Sequence, residues 1–169
     1  YLVVSIIVAL KILVSSLTCL YFIRTYFKKI SCFLSIFLAI SYAFSGYSLA
    51  MYQITPWIDV MYLFPLLVIG LRKVLDLEKP TLYITILSLC LIFSFYVSVM
   101  VVAFIFLASL IYLIVYKEKK ERKKGILALG ISTIISLLLS LFIIVPSYLQ
   151  ISISSRIGFD LTELLNSKT

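Results

Sequence analysis

Apolar residues along this chain come in long unbroken runs, separated by short clusters of lysine and arginine. The first run covers 1–23 and is interrupted only by Lys11; Arg24, Lys28 and Lys29 follow. A second run covers 30–51. Next comes a short polar stretch with Gln53, Thr55, Pro56, Trp57 and Asp59, and a third run over 58–71 that gives way to Arg72, Lys73, Asp76, Glu78 and Lys79. The stretch 81–116 contains no charge at all. As one helix it would be about 54 Å long, against a hydrocarbon core of about 30 Å. Basic residues flank it on both sides, so it must cross an even number of times. Two short helices, 81–95 and 98–116, are predicted, with a tight turn around Ser94 to Ser98. The last run covers 125–145 and is predicted to end at Pro146. None of the runs alternates with period two, so they read as helices and not as barrel strands. The pattern predicts an all-α, polytopic transmembrane helical bundle of about six spans, followed by a tail over 147–169 in which Leu161, Leu164 and Leu165 suit a short surface helix.

Composition agrees with lipid as the solvent. Hydrophobic residues make up 63% of the 169 positions, against about 45–50% in soluble domains, and the mean hydropathy is +1.19. A water-soluble chain of this size must cover much of its surface with polar groups. Only helices and closed barrels satisfy their own backbone groups inside a bilayer.

The net charge of +8 has two possible meanings. A basic face for nucleic acid is one, but the basic residues here lie between apolar runs, so no nucleic-acid partner is expected. The other is a topology signal. Twelve of the 15 lysines and arginines fall in three alternate loops, in groups of three, three and six. Those loops are expected in the cytoplasm, with the N-terminal end and the 147–169 tail outside it. The opposite orientation would put all twelve on the wrong side. The Lys117 to Lys124 cluster also suits anionic lipid headgroups. The chain starts at Tyr1 inside an apolar run and ends at Thr169 without a closing element, which is expected of a piece of a longer protein.

Few residues carry chemistry. There is no histidine, and Cys19, Cys32 and Cys90 lie in apolar runs with no C-x-x-C pair. That excludes a histidine-based zinc or haem site and leaves the cysteines as packing residues. Asp59 stands at the outer mouth of the third run, after Pro56 and the interfacial Trp57. An acid there can serve as a base, as a ligand to a divalent cation, or simply as a helix cap. Lys11 lies inside the first span, where a lysine costs at least ~2.5–3.5 kcal/mol. It either pairs with an anion, such as a phosphate or Asp59, or snorkels to the surface. Arg156 follows Ser154 and Ser155 beyond the last span. Its planar fork suits a phosphate or pyrophosphate, or merely a lipid headgroup. Tyr42 and Tyr47, beside Gly46, are candidate cavity liners.

Several of these features occur in a recognisable order: Ser41 to Tyr47, then Trp57 to Asp59, then Leu63 to Leu66 with Gly70, then Lys79 to Tyr83. Together with Lys11 and the Val145-to-Arg156 segment, this series resembles the bacterial YfhO membrane-protein family across nearly the whole chain. The resemblance implies a GT-C type glycosyltransferase fold. Such an enzyme moves a sugar from a polyprenyl-phosphate carrier to an acceptor outside the cytoplasm, in this family a cell-wall or lipoteichoic-acid polymer of Gram-positive bacteria. It implies a main catalytic acid in an outer loop preceding this segment. Asp59 would then be a second catalytic acid, with Lys11, Trp57, Arg156 and Tyr47 as substrate-binding residues. The chain departs from the family pattern at Ser94 to Ser98, where an Asn and a Gly are expected. A transporter or flippase, with Lys11 and Pro65 lining a pathway, is the competing expectation, and a pure scaffold is the third.

Overall fold

The computed structural model describes residues 2–153, and among these every secondary-structure element is an α-helix. Seven helices follow one another: α1 (Leu2–Tyr26), α2 (Cys32–Ala43), α3 (Gly46–Met51), α4 (Thr55–Leu75), α5 (Thr81–Phe93), α6 (Phe95–Tyr116) and α7 (Lys119–Ile153). Four segments are long and apolar enough to cross a membrane: Val3–Tyr26, Cys32–Met51, Phe95–Tyr116 and Glu121–Ser147. The Thr81–Phe93 helix is a shorter apolar one. Large apolar side chains such as Leu10, Leu13, Leu17, Phe104, Leu107 and Leu138 face outward. Helices apolar on every side are what a lipid surround demands.

The core lies around α4 and α5. Leu63, Leu67, Leu71 and Val74 of α4 pack with Tyr83, Leu87 and Leu91 of α5, and α6 and α7 close over them with Ile105, Leu113 and Leu129. At Gly70 an added Cβ would stand 2.7 Å from the Tyr83 backbone nitrogen, so only glycine permits this approach of α4 to α5. Between α5 and α7 the seam is made of small hydroxyls. Ser136 Oγ donates to Ile84 O (3.3 Å) and Ser140 Oγ to Ser88 O (3.3 Å), while Ser88 Oγ donates to Ser136 O (3.3 Å). Serines four apart on α7 share one face, and their size lets the backbones come together. A smaller cluster, Cys19, Ile23 and Ala39, joins α1 to α2.

The helix boundaries differ from the sequence-based expectations in four places. The second run is two helices, broken at Phe44 and Ser45. The third extends to Thr55–Leu75, with Pro56 in its first turn, where proline lacks no needed donor, and Pro65 inside it. The turn after α5 is tighter than predicted, a single Ser94 between Phe93 and Phe95. The last helix begins at Lys119 and continues through Pro146 to Ile153. Proline removes one backbone donor, and a long helix with partners on either side can carry that loss. Cys32 is exposed at the start of α2, unlike the buried Cys19 and Cys90. Arg156 and the Leu161 to Leu165 segment lie outside the described residues.

The basic loops meet at one end of the bundle. The Arg72 guanidinium stacks 4.6 Å over the Tyr26 ring. Asp76 accepts from Lys117 Nζ at 3.0 Å and from the Tyr112 hydroxyl at 3.2 Å. The ends of α1, α4 and α6 are therefore together, and Lys11 and Asp59 belong to the opposite half.

Candidate functional site

Asp59 is the fifth residue of α4 and is 8% exposed. It does not cap the helix; the N-cap is Ile54. Its carboxylate turns to α1, where Lys11 Nζ stands 2.6 Å from Oδ1. The same ammonium donates to the Thr55 carbonyl at 2.9 Å. Lys11 therefore neither reaches for the surface nor waits unpaired. The two helices run side by side from this pair to the Tyr26–Arg72 stack. The intervals, 15 residues on α1 and 13 on α4, are both about 20 Å of helix. On α1 the residue one turn further on is Ser15, buried, its hydroxyl bonded back to the Lys11 carbonyl at 2.9 Å.

Taking either charge out of water alone costs several kcal/mol. Each is tolerable here because the other is in contact. An ammonium carries three donors. Two are used by Asp59 and Thr55, and one remains.

Lys11 also lines a groove of about 340 Å³, together with Ile7, Leu10, Val14 and Tyr62. The groove is apolar apart from the ammonium and the Tyr62 hydroxyl, which is close enough to Asp59 to feel its charge. Tyr62 follows Asp59 by three positions and so shares its face of α4. That spacing was available in the sequence and marks Tyr62 as a further candidate that motif reading passed over. A second groove of about 700 Å³ flanks α1 on another side, lined by Val4, Val8, Ala9 and Ile12 with Tyr52 and Gln53 of the α3–α4 connection.

The other candidates are placed differently. Trp57 is half-buried and lies two positions before Asp59, about 200° round the helix. Tyr47 donates to the Trp57 carbonyl at 3.2 Å, so these two bond each other and not the Lys11–Asp59 pair. Tyr42 donates to the Met61 carbonyl at 2.8 Å. Pro65 has no N–H to offer that carbonyl, which stands four residues before it, and the phenol supplies the missing donor. The aromatic residues of α2 and α3 thus pin the first half of α4. Arg156 is outside the described residues.

A divalent cation does not suit these side chains. Among the described residues no three carboxylates or cysteines gather as a metal site. The one carboxylate of the pair is already held by an ammonium, which would repel a metal ion.

No curated protein and no solved structure matches the chain. The model for bacterial membrane protein YfhO, by contrast, matches residues 2–169. With apolar helices of membrane-crossing length and a family match over almost every residue, the chain belongs to the YfhO family of bacterial membrane proteins.

Proposed function

We propose that the protein is a membrane glycosyltransferase working at the end of the bundle opposite the basic loops. It would take a sugar from a polyprenyl-phosphate carrier and pass it to a cell-envelope polymer such as teichoic or lipoteichoic acid. One observation carries this reading: an ion pair, Lys11 with Asp59, almost withdrawn from water and bordering an apolar groove. A ligand with an apolar tail and an anionic head is the chemistry such a groove complements. Membership of the YfhO family is consistent with this role.

In the transfer step the acceptor hydroxyl oxygen bonds to the anomeric carbon of the sugar. The bond from that carbon to the carrier phosphate breaks, and its electron pair leaves on the phosphate. The remaining donor of Lys11 stabilises that developing charge where water is scarce, which is where such help counts most. The hydroxyl proton passes to a carboxylate. Asp59 orients the acceptor for this, and the main base is proposed to lie in an outer loop preceding this segment. Arg156, on the same side by charge counting, is the second partner proposed for the phosphate. The orientation itself, basic loops in the cytoplasm, rests on the distribution of lysine and arginine.

The test must separate chemistry from scaffolding, because Asp59→Asn leaves Lys11 buried without its counter-ion, a loss of about 3–5 kcal/mol. A charge exchange, Lys11→Asp with Asp59→Lys, keeps the pair. The expected result is a protein that accumulates and melts nearly as wild type does, with polymer glycosylation reduced about 100-fold or more. Wild-type glycosylation by the exchanged protein would reduce the pair to a structural clasp and remove it from the mechanism.

A further inference from the structure

The net charge of this molecule is concentrated at one end. Lys11 and Asp59 cancel, and so do the two basic and two acidic residues beyond residue 153. What remains in the sequence is twelve basic against four acidic residues, all in or next to the three connections at the end marked by Tyr26, Arg72 and Lys117, a surplus of eight. The acids there are partly occupied. Asp76 holds Lys117 and, at 3.8 Å, Arg72, and Glu121 also pairs with Lys117 at 3.8 Å. Arg122 donates to the carbonyls of Lys117 and Ile114 at 2.8 Å each. Arg24, Lys28, Lys29, Lys73, Lys79 and Lys124 are exposed, and none takes part in the ion pairs of the described residues.

A second observation at the same end concerns the backbone. α4 closes with Leu77 N–H on the Val74 carbonyl (3.0 Å) and Glu78 N–H on the Lys73 carbonyl (2.8 Å). This is the helix stop that puts a left-handed residue just past the end, a place usually filled by glycine. Here it is Leu77, with φ 61°, the sole non-glycine with positive φ among the described residues. Its side chain is 49% exposed, between Lys73 and Lys79. A strained backbone that displays a leucine outward does not serve the core. It does serve an interface where an apolar side chain can enter the acyl region while lysines meet phosphates. Phe27, 50% exposed beside Lys28 and Lys29, repeats the arrangement at the α1–α2 turn.

We propose that this end is a binding surface for anionic phospholipid: phosphate headgroups on the free lysines and arginines, with Leu77 and Phe27 inserted as apolar anchors. Charge complementarity selects the occupant. Each basic residue near an anionic surface adds attraction that salt weakens. The proposal is independent of sugar transfer, since it concerns the opposite end and is read by lipid binding and not by product.

The experiment measures thermal unfolding of the purified full-length protein in detergent, with added phosphatidylglycerol or phosphatidylcholine. The expected result is a rise in melting temperature with phosphatidylglycerol that phosphatidylcholine does not reproduce and that shrinks at high salt. The combined variant Lys28→Gln, Lys29→Gln and Lys79→Gln is expected to lose more than half of that rise. Because removing lysines can itself disturb insertion, Leu77→Gly is the second variant. Glycine accepts the left-handed backbone, so this variant is expected to melt higher than wild type without lipid and to gain less from phosphatidylglycerol. Equal stabilisation by both lipids, or a full gain in Leu77→Gly, overturns the proposal. So does preference for a soluble polyanion such as heparin over phosphatidylglycerol, which would point to an acidic macromolecule instead.

Discussion

At Gly70 the backbones of α4 and α5 touch, and a methyl group there would meet the Tyr83 nitrogen at 2.7 Å and its Cα at 2.8 Å. Neither atom belongs to a flexible side chain, so the helices themselves must part. Gly70→Ala is expected to destabilise the protein by about 1–3 kcal/mol, read as a lower melting temperature in detergent. The same substitution at Gly130, where an added Cβ meets nothing within 4 Å, is expected to be neutral or mildly stabilising. In the sequence the two glycines look alike, each within an apolar run. Lys11 was more legible. A charge in an apolar run must find a counter-charge, and carboxylates are few enough that Asp59 was a natural candidate. The Thr55 carbonyl as its second acceptor was not legible, because every residue has a carbonyl and only the approach of α1 to α4 selects one.

Helix α4 is the element on which the site depends, and its first half is held by donors from outside it. Lys11 takes the Thr55 carbonyl, Tyr47 that of Trp57 and Tyr42 that of Met61. The last of these answers Pro65. Tyr42→Phe should leave the Met61 carbonyl without a donor and cost about 1–3 kcal/mol. In a Pro65→Ala background the helix can supply its own N–H, and the cost should fall to near zero. A double-mutant cycle measures this as a coupling between residues 23 apart in sequence. Strictly additive losses would show that the phenol does not compensate for the proline. The break in the second apolar run and the continuation of α7 past Pro146 were not legible. Phe44 and Ser45 carry no strong helix-breaking signal, whereas Pro146 carries one that the helix absorbs. Local propensity gives way where tertiary contacts satisfy the backbone.

For the whole molecule, the two ends differ in how they hold charge. The end that gathers the basic loops is tied by Asp76, which bridges α4 to Lys117 and Tyr112 beyond and within α6. The hydrogen bond that Lys117 donates to Asp76 raises the Lys117 pKa above its ordinary 10.5. A lysine with a raised pKa in the folded state contributes stability that is complete below the unfolded value. That contribution is lost as pH climbs through the folded value. Melting temperature is therefore expected to be insensitive to Lys117 ionisation near neutral pH and to fall above about pH 10.5. Lys117→Met should flatten this part of the alkaline fall. An identical alkaline profile in the variant would show that the bridge contributes nothing measurable, as many exposed ion pairs do.

The sequence alone determined the solvent and the element type. Runs this long and this apolar have no stable alternative to helices in lipid, since the backbone must satisfy itself within each segment. It also placed the basic loops together, because alternating loops of alternating helices return to the same end. What it could not decide was which faces meet. Rotation of each helix about its axis is settled by contacts such as Gly70 on Tyr83 and the serine seam of α7 on α5. The packing of α1 against α4 likewise brings Lys11 to Asp59, with Tyr62 on the same face of α4, while Trp57 and Tyr47 bond each other. In helices apolar on every side, hydrophobic pattern carries little information about orientation. Close packing and the need to pair every buried polar group supply it instead.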